Sequence, residues 1–219
     1  MSNSNEELEN LLINILKIGV TGTYKDYCSW LKLNQKLNLN QDTNFDPELV
    51  LNTLNHLKEK GIAIEGKFDK KEFRISDSYF LTAPLLEDKF YVLGGAEFSP
   101  IQYVRSRQEY FLEINNVLEE DIIDISIATI EAIENAVKYG DGKIVELEQK
   151  IDSNRNYKIN IINNIKEFDL TDEIERGKYS SNITLMRGVM IMQKLFNHLD
   201  IQIIDEKKQA HLYAEKKLN

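Results

Sequence analysis

The sequence predicts an α/β protein in which a two-layer α/β sandwich follows a small α+β domain. Two observations carry this prediction. Three helical patterns occur in the first sixty residues, and a pair of short alternating runs follows them. From residue 89 onward the order is strand, helix, helix, strand, strand, helix, strand, strand, which is typical of a mainly antiparallel sheet with helices on one face. We therefore predict two domains, residues 1–82 and residues 83–219.

The first two helices are predicted from the spacing of their apolar residues. Leucines and isoleucines recur at helical intervals in the segment 6–18, and Gly19 ends that helix. A second, short helix is predicted at 23–33, with Thr23 as its cap. The Asn-rich stretch 34–44 that follows is predicted to be a loop.

A third helix and a β-hairpin complete the first domain. Asp46 followed by Pro47 is a helix-start signal, because an N-cap residue precedes a proline at the first helical position. This helix is predicted to end at Gly61. Two alternating runs, 62–65 and 72–75, are joined by a turn that contains glycine and lysine, as in a hairpin.

The order "helix, KEKGI, strand, basic turn, strand" resembles a winged helix-turn-helix. That resemblance implies DNA contact through the helix 46–60 and the lysines of the hairpin, Lys67, Lys70 and Lys71. Residues 1–77, however, carry 12 acidic and 10 basic side chains, whereas a surface that binds phosphates needs clustered cations. The charge therefore favours a small helical interaction module over a DNA-binding one.

The second domain begins after a candidate linker. Residues 76–87 contain Pro84 and break the periodicity, and a strand at 89–93 then ends at Gly94 and Gly95. The remaining helices and strands are predicted in the segments 100–117, 119–139, 143–151, 157–163, 185–198, 200–204 and 210–216.

The segment "IATIEAIENAVKYG", residues 127–140, carries the strongest chemical signal. Glu131 and Asn135 are four positions apart and project from one helix face, and Lys138 lies on the same side. Around a nucleotide, an Asn oxygen can bind Mg²⁺, a Glu can orient or deprotonate a nucleophile, and a Lys can meet a phosphate. By spacing alone, a solvated helix face is the favoured interpretation of these three residues. The buried stripe of this helix is predicted to contain Ile123, Ile127, Ile130 and Val137.

"EAIENAVKYG" resembles the asparagine box of the ATPase superfamily that includes gyrase B, Hsp90, histidine kinases and the anti-sigma-factor serine kinases. The later segment "MRGVMIMQKLFNHLDIQI" is similar to the second glycine box of the anti-sigma-factor kinases and the helix and strand after it. The two motifs occur in the family's order. The resemblance implies the Hsp90/histidine-kinase ATPase type of α/β sandwich for the second domain, with ATP and Mg²⁺ as ligands.

The resemblance also assigns roles to single residues. Glu131 corresponds to the catalytic base or its orienter, and Asn135 to the Mg²⁺ ligand. Asn163 stands at the adenine-reading position, which is usually Asp. In the second glycine box Arg187 and Gly188 match. The nucleotide site implied by resemblance and spacing thus contains Glu131, Asn135, Lys138, Asn163, Arg187 and Gly188.

Other positions depart from the family pattern. Ile165 and Glu167 replace two glycines of the first glycine box, and Met186 replaces the first glycine of the second. Lys208 begins the turn where the family often has Gly-Gly-Thr. Glycine at such positions permits close approach of the backbone and positive φ, so these replacements are expected to weaken nucleotide binding.

The whole chain is acidic, with a net charge of −9, which disfavours nucleic acid and anionic membranes as partners. Cys28 is the only cysteine and forms no internal disulfide. Neither a signal-peptide pattern nor an apolar run of membrane-spanning length is present, so a cytoplasmic protein is predicted.

Three functional hypotheses remain open. In the first, the chain is a bacterial regulator, an ATP-dependent serine/threonine kinase that binds a sigma factor and phosphorylates an antagonist in a partner-switching pathway. In the second, the same fold is catalytically degenerate and serves as a protein-interaction module. In the third, the winged-helix-like domain binds DNA. The resemblance also implies a homodimer, since members of the family are often dimers.

Overall fold

The computed structural model describes residues 2–39, 45–79, 85–94, 100–166 and 179–219. The chain forms two compact units, one of Met1–Pro84 with Ala96–Ile114 and the other of Leu85–Gly95 with Asn115–Asn219. The boundary expected between residues 82 and 83 stays a prediction. Within the described residues, no helix has both the length and the apolar character needed to cross a bilayer.

In its described residues, the first unit contains four α-helices and a three-stranded antiparallel sheet with strand order β1-β3-β2. Its elements are α1 (Ser2–Lys17), β1 (Gly22–Thr23), α2 (Tyr24–Leu39), α3 (Pro47–Glu59), β2 (Ala63–Glu65), β3 (Glu72–Ile75) and α4 (Pro100–Ile114). The three helices and hairpin predicted for residues 6–75 are therefore present. Their identity as a winged helix stays a prediction.

Local signals fix the ends of α1 and α3. The Asp46 side chain accepts a hydrogen bond from the backbone N–H of Glu48 (3.0 Å), and Pro47 opens α3, as predicted. Gly19 and Gly61, which follow α1 and α3, have φ values of +87° and +71°. Both glycines therefore occupy the left-handed region that commonly terminates helices.

The prediction of a loop at 34–44 is wrong in its first part, because α2 continues to Leu39. Gln, Lys and Leu in this stretch are good helix formers, and the Asn residues between them cost only a few tenths of a kcal/mol each, roughly. An established helix therefore propagates through them. Residues 40–44 lie outside the described part of the chain.

Helix α4 packs into the core of the first unit. The ring of Tyr103 meets the fully buried ring of Trp30 edge-on, with centroids 5.5 Å apart. Gln102 donates from Nε2 to the carbonyl of Thr21 (2.7 Å), and Tyr110 lies against Gly19. Aromatic contacts of this kind contribute about 0.5–1.5 kcal/mol beyond the area they bury.

The described residues of the second unit contain a five-stranded antiparallel sheet with strand order β4-β5-β6-β8-β7. Its elements are β4 (Glu87–Leu93), α5 (Glu119–Tyr139), β5 (Gly140–Ile151), β6 (Asn156–Ile165), α6 (Tyr179–Leu195), β7 (His198–Ile204) and β8 (Gln209–Lys217). Alternate residues of β5 and β6 are buried, and α5 packs on these strands and on α6. The predicted fold class, an α/β sandwich with an antiparallel sheet, is confirmed for this unit.

The buried face of α5 differs from the prediction. Ile123 and Ile127 are 52% and 44% exposed. The buried residues are instead Asp121, Ile125, Ser126, Ala128, Thr129, Ala132, Ile133 and Ala136. Isoleucine is so frequent in this helix that two faces carry an apolar stripe. The face rich in Ala, Ser and Thr is buried because small side chains let a helix approach its neighbours closely.

Candidate nucleotide site

The candidate site begins on one face of α5. Glu131 and Asn135 lie one helical turn apart, and both side chains are half-buried. Lys138 is exposed, and its ammonium group lies 5.2 Å from the centre of the Tyr139 ring. The face predicted from spacing is therefore present, although Lys138 turns to an aromatic neighbour near the end of the helix.

Helix α6 brings Gly188 against the same face. A Cβ atom added to Gly188 would lie 2.9 Å from Oε2 of Glu131 and 3.2 Å from Nδ2 of Asn135. Gly188 is itself buried, whereas its neighbour Arg187 is exposed. The segments that resemble the second glycine box and the asparagine box thus meet in space, with glycine at the point of closest approach.

Asn163 lies beside the C-terminal end of α5. It is buried on β6 and pairs in register with Val145 of β5 and Ala210 of β8. Its Nδ2 donates to the carbonyl of Asn164 (3.0 Å). Because this donor bonds to the protein's own backbone, the amide has a fixed orientation.

The surroundings of Gly140 explain why the motif at residues 127–140 ends in glycine. A Cβ atom at this position would lie 2.2 Å from the carbonyl oxygen of Ala136 and 3.3 Å from Nδ2 of Asn163. A side chain at position 140 would therefore separate α5 from β6. Its φ of −75° is an ordinary one, so the requirement is for space alone.

Two positions that depart from the pattern of the ATPase family, Ile165 and Lys208, lie at the end of the sheet that contains Asn163. Ile165 ends β6, is half-buried, and donates its backbone N–H to the carbonyl of Lys208 (2.9 Å). Lys208 has φ of +50°, the left-handed conformation that glycine adopts most easily. Glu167 and the side chain of Met186 lie outside the described part of the structure.

Sequence reasoning missed a polar network beside Asn163. Gln209 donates from Nε2 to Oδ1 of Asn164 (3.2 Å), and Asn164 donates from Nδ2 to Oδ2 of Asp141 (3.4 Å). The pairing of β6 with β8 places Asn164 opposite Gln209. No motif predicts this register, although the run of asparagines at 163–164 marks a strand end that is unusually rich in amides.

The structure therefore unites three of the six predicted residues closely, Glu131, Asn135 and Gly188. Asn163 lies near the end of the same helix, and Lys138 and Arg187 are exposed at its margins. In the described residues, no group of three His, Cys, Asp or Glu side chains is arranged to hold a metal ion by itself.

Comparison with known proteins gave no match to any family model and none to a curated protein. Among solved structures, the RsbU and RsbW domains of Rv1364c from Mycobacterium tuberculosis align with 67% of this chain at 16% identity and a TM-score of 0.46. The chain spans 35% of that protein's length.

The histidine kinase domain of a blue-light activated histidine kinase from Erythrobacter litoralis EL346 aligns with 99% of this chain and 94% of its own length, at 12% identity and a TM-score of 0.34. Likeness at this level carries no inference about activity. The fold class rests on the strands, helices and register described above.

Proposed function

We propose that the second unit binds ATP with Mg²⁺ and acts as a protein serine/threonine kinase of a partner-switching pathway that regulates transcription. One observation carries the proposal. Glu131 and Asn135, the two polar residues of the asparagine-box-like motif, face Gly188 of the motif that resembles the second glycine box. Two segments distant in sequence, each similar to one part of the same ATPase site, are thereby adjacent.

The residues present fit ATP and Mg²⁺ in part. The amide oxygen of Asn135 would hold Mg²⁺, with phosphate oxygens and water as the remaining ligands, because Mg²⁺ is usually bound by few protein groups. Bound Mg²⁺ would supply neutralisation of phosphate charge. The carboxylate of Glu131 would orient a serine hydroxyl and accept its proton. Gly188 would present backbone where a side chain has no room.

A second candidate function, a non-catalytic protein-interaction module, is favoured by the part of the site around Ile165 and Asn163. Ile165 is half-buried where the family has glycine, and Nδ2 of Asn163 already bonds to the backbone. An isoleucine side chain keeps the backbone from close contact with a ligand. If this module binds protein but not nucleotide, its partners would still be those of partner switching, a sigma factor and an anti-sigma antagonist.

DNA binding receives less support, because cations of the first unit are paired with carboxylates. Lys58 bonds to Glu65 and Lys60 to Glu9, both at 2.6 Å. The hairpin residue Lys67 bonds to Glu113 at 2.8 Å. Phosphate binding would have to displace these carboxylates, which adds to the unfavourable charge balance of residues 1–77.

Titration of the full chain with ATP, in the presence and absence of Mg²⁺, tests the proposal by calorimetry. Asn135→Ala is expected to weaken Mg²⁺-dependent binding at least tenfold, equivalent to about 1.4 kcal/mol, and to change the melting temperature little. Asn55→Ala, the same change at an exposed position of α3, is the matched control and should bind as the parent does. Equal affinity in Asn135→Ala and Asn55→Ala would show that the site is misassigned.

A second measurement separates the two candidate functions. With ATP radiolabelled in its terminal phosphate, an active kinase should transfer label to a serine or threonine of a protein in an extract of the source cells. Glu131→Gln should abolish this transfer while retaining nucleotide binding. A parent chain that binds no ATP at millimolar concentration would favour the interaction module instead.

A further inference from the structure

Helix α5 carries an apolar stripe on the side opposite its buried face. Ile123, Ile127 and Ile130 follow one another at intervals of four and three residues, so their side chains adjoin along one side of the helix. Ile123 is 52% exposed, Ile127 is 44% exposed and Ile130 is half-buried. Ile125 and Ala132, on the opposite side, are buried. These three residues, 123, 127 and 130, form the isoleucine stripe.

Helix formation by itself does not explain the isoleucine stripe. Isoleucine is β-branched and favours a helix less than Ala, Leu, Glu or Lys does. The outer side of a helix that packs on one face only is normally polar, because apolar surface in water is unfavourable. Apolar side chains that adjoin on a surface, unlike scattered ones, mark an interaction site. The stripe, two helical turns long, is therefore suited to an apolar partner surface.

Carboxylates surround the isoleucine stripe. Glu119 and Glu120, four and three residues before Ile123, lie on either side of its first member, and Glu134 lies one turn after its last. All three are exposed, and among the described residues none of them has a cation within ion-pair distance. The helix dipole accounts for Glu119 and Glu120 but gives no reason for Glu134. Since Lys138 is the only basic residue of α5, against six acidic ones, the outer side of this helix is negative.

This charge decides between occupants of the stripe. A second copy of the chain on the same stripe would bring two negative surfaces together, and an anionic membrane would also be repelled. Side chains at positions i, i+4 and i+7 are the spacing by which one helix packs on another. An amphipathic helix with basic residues beside its apolar face would cover the isoleucines and pair with the carboxylates.

We propose that the isoleucine stripe of α5 is a docking site for an amphipathic helix of a partner protein. The stripe would contact the apolar face of that helix, and the three carboxylates would lie opposite its lysines or arginines. The proposal does not rest on ATP binding, because neither the isoleucines nor these carboxylates belong to the candidate nucleotide site. The experiments that test it contain no nucleotide.

Fluorescence anisotropy of a labelled synthetic peptide, titrated with the full chain, tests this proposal. The peptide is about 20 residues long, so that it can form a helix, and carries one stripe of leucines flanked by lysines. A second peptide, with glutamates in place of the lysines, is the control ligand. We expect saturable binding of the lysine peptide, weakened by added salt, and binding of the glutamate peptide that is weaker by about tenfold or more.

Variants of the chain locate the binding site. Ile127→Ser should weaken binding of the lysine peptide about tenfold, because it removes the central apolar contact. Ile144→Ser is the matched control, since Ile144 of β5 is also 44% exposed but lies outside the stripe. Both side chains are exposed, so both variants should fold. The double change Glu119→Gln and Glu120→Gln should lower the affinity severalfold and flatten its salt dependence.

Three results would overturn the proposal. They are the absence of saturable binding of the lysine peptide below about 100 µM, equal affinity for the two peptides, and equal affinity in Ile127→Ser and Ile144→Ser. The other occupants give results of their own. Self-association of the parent, or binding to phosphatidylserine vesicles, that Ile127→Ser abolishes and Ile144→Ser retains would assign the stripe to a second copy or to a membrane, and would refute the helical partner.

Discussion

Gly19 joins α1 to the rest of the first unit, and replacing it with alanine is expected to destabilise that unit strongly. The residue has φ of +87°, a conformation that costs an L-residue about 1–2 kcal/mol. The added Cβ would also lie 2.1 Å from Cγ of Tyr110 and 2.3 Å from Cδ1. These are ring atoms of a buried side chain, so the backbone or the ring must move.

The expected loss in the free energy of unfolding is the sum of the backbone cost and the cost of overlap with the Tyr110 ring. Overpacking of a core costs typically 1–3 kcal/mol, so Gly19→Ala should lose roughly 2–5 kcal/mol in the free energy of unfolding. Gly61→Ala is the matched control, because Gly61 has φ of +71° but a Cβ there would meet nothing within 4 Å. That variant should lose only the backbone cost of about 1–2 kcal/mol. The difference between the two variants measures the clash with Tyr110.

Trp30 is a suitable probe for this experiment. It is the only tryptophan of the chain and lies fully buried in the first unit, with the ring of Tyr27 4.9 Å away and that of Tyr103 5.5 Å away. Urea unfolding followed by its fluorescence therefore reports the stability of this unit. For a unit of about 100 residues, each 1 kcal/mol corresponds to roughly 4–8 °C in Tm. A Gly19→Ala variant no less stable than Gly61→Ala would refute the reasoning.

Three further predictions concern the site, the sheet and the surface. Gly188→Ala should reduce ATP binding, as calorimetry would show, with little loss of stability, because the atoms that the added Cβ would crowd are the ends of the Glu131 and Asn135 side chains, and Cβ of Glu131 lies at an ordinary contact distance of 3.9 Å. Lys158 first, and then Asn156, hold the pKa of Asp152 below its ordinary value, so Asp152 stabilises the folded state above about pH 4 and this contribution disappears as pH falls through the folded-state pKa. Circular dichroism of Asp152→Asn during acid titration should show a smaller loss of stability than the parent, and an identical loss would contradict this. The full chain should give no salt-sensitive shift with duplex DNA at moderate ionic strength, whereas micromolar binding with a steep negative salt slope would revive the DNA-binding hypothesis.

Local signals in the sequence predicted local structure well. The pair Asp46 and Pro47 marks the start of α3, because both the cap and the proline act through the residues next to them. The order of strands and helices from β4 to β8 was also predictable, since period-two and helical patterns are properties of short segments. The spacing of Glu131 and Asn135 placed both on one helix face for the same reason.

Long-range packing was not predictable in this way. The choice between two apolar faces of α5 depends on what covers the helix, and the exposed Ile123 and Ile127 show that hydrophobicity alone does not decide it. The contact between Trp30 and Tyr103 joins segments distant in sequence and has no motif. The approach of Gly188 to Glu131 was implied only by resemblance to a known family, since nothing in the spacing of the residues relates the two helices.

The interleaving of the two units limits how this protein can be rearranged by recombination. A single crossover between residues 82 and 83 would deliver Trp30 and Gly19 in one gene product and their partners Tyr103 and Tyr110 in another. Each product would carry half of one hydrophobic core. Inheritance of the first unit as a functional cassette therefore requires three crossovers, one on either side of β4 and one after α4, or a single crossover after α4 that transfers β4 as well.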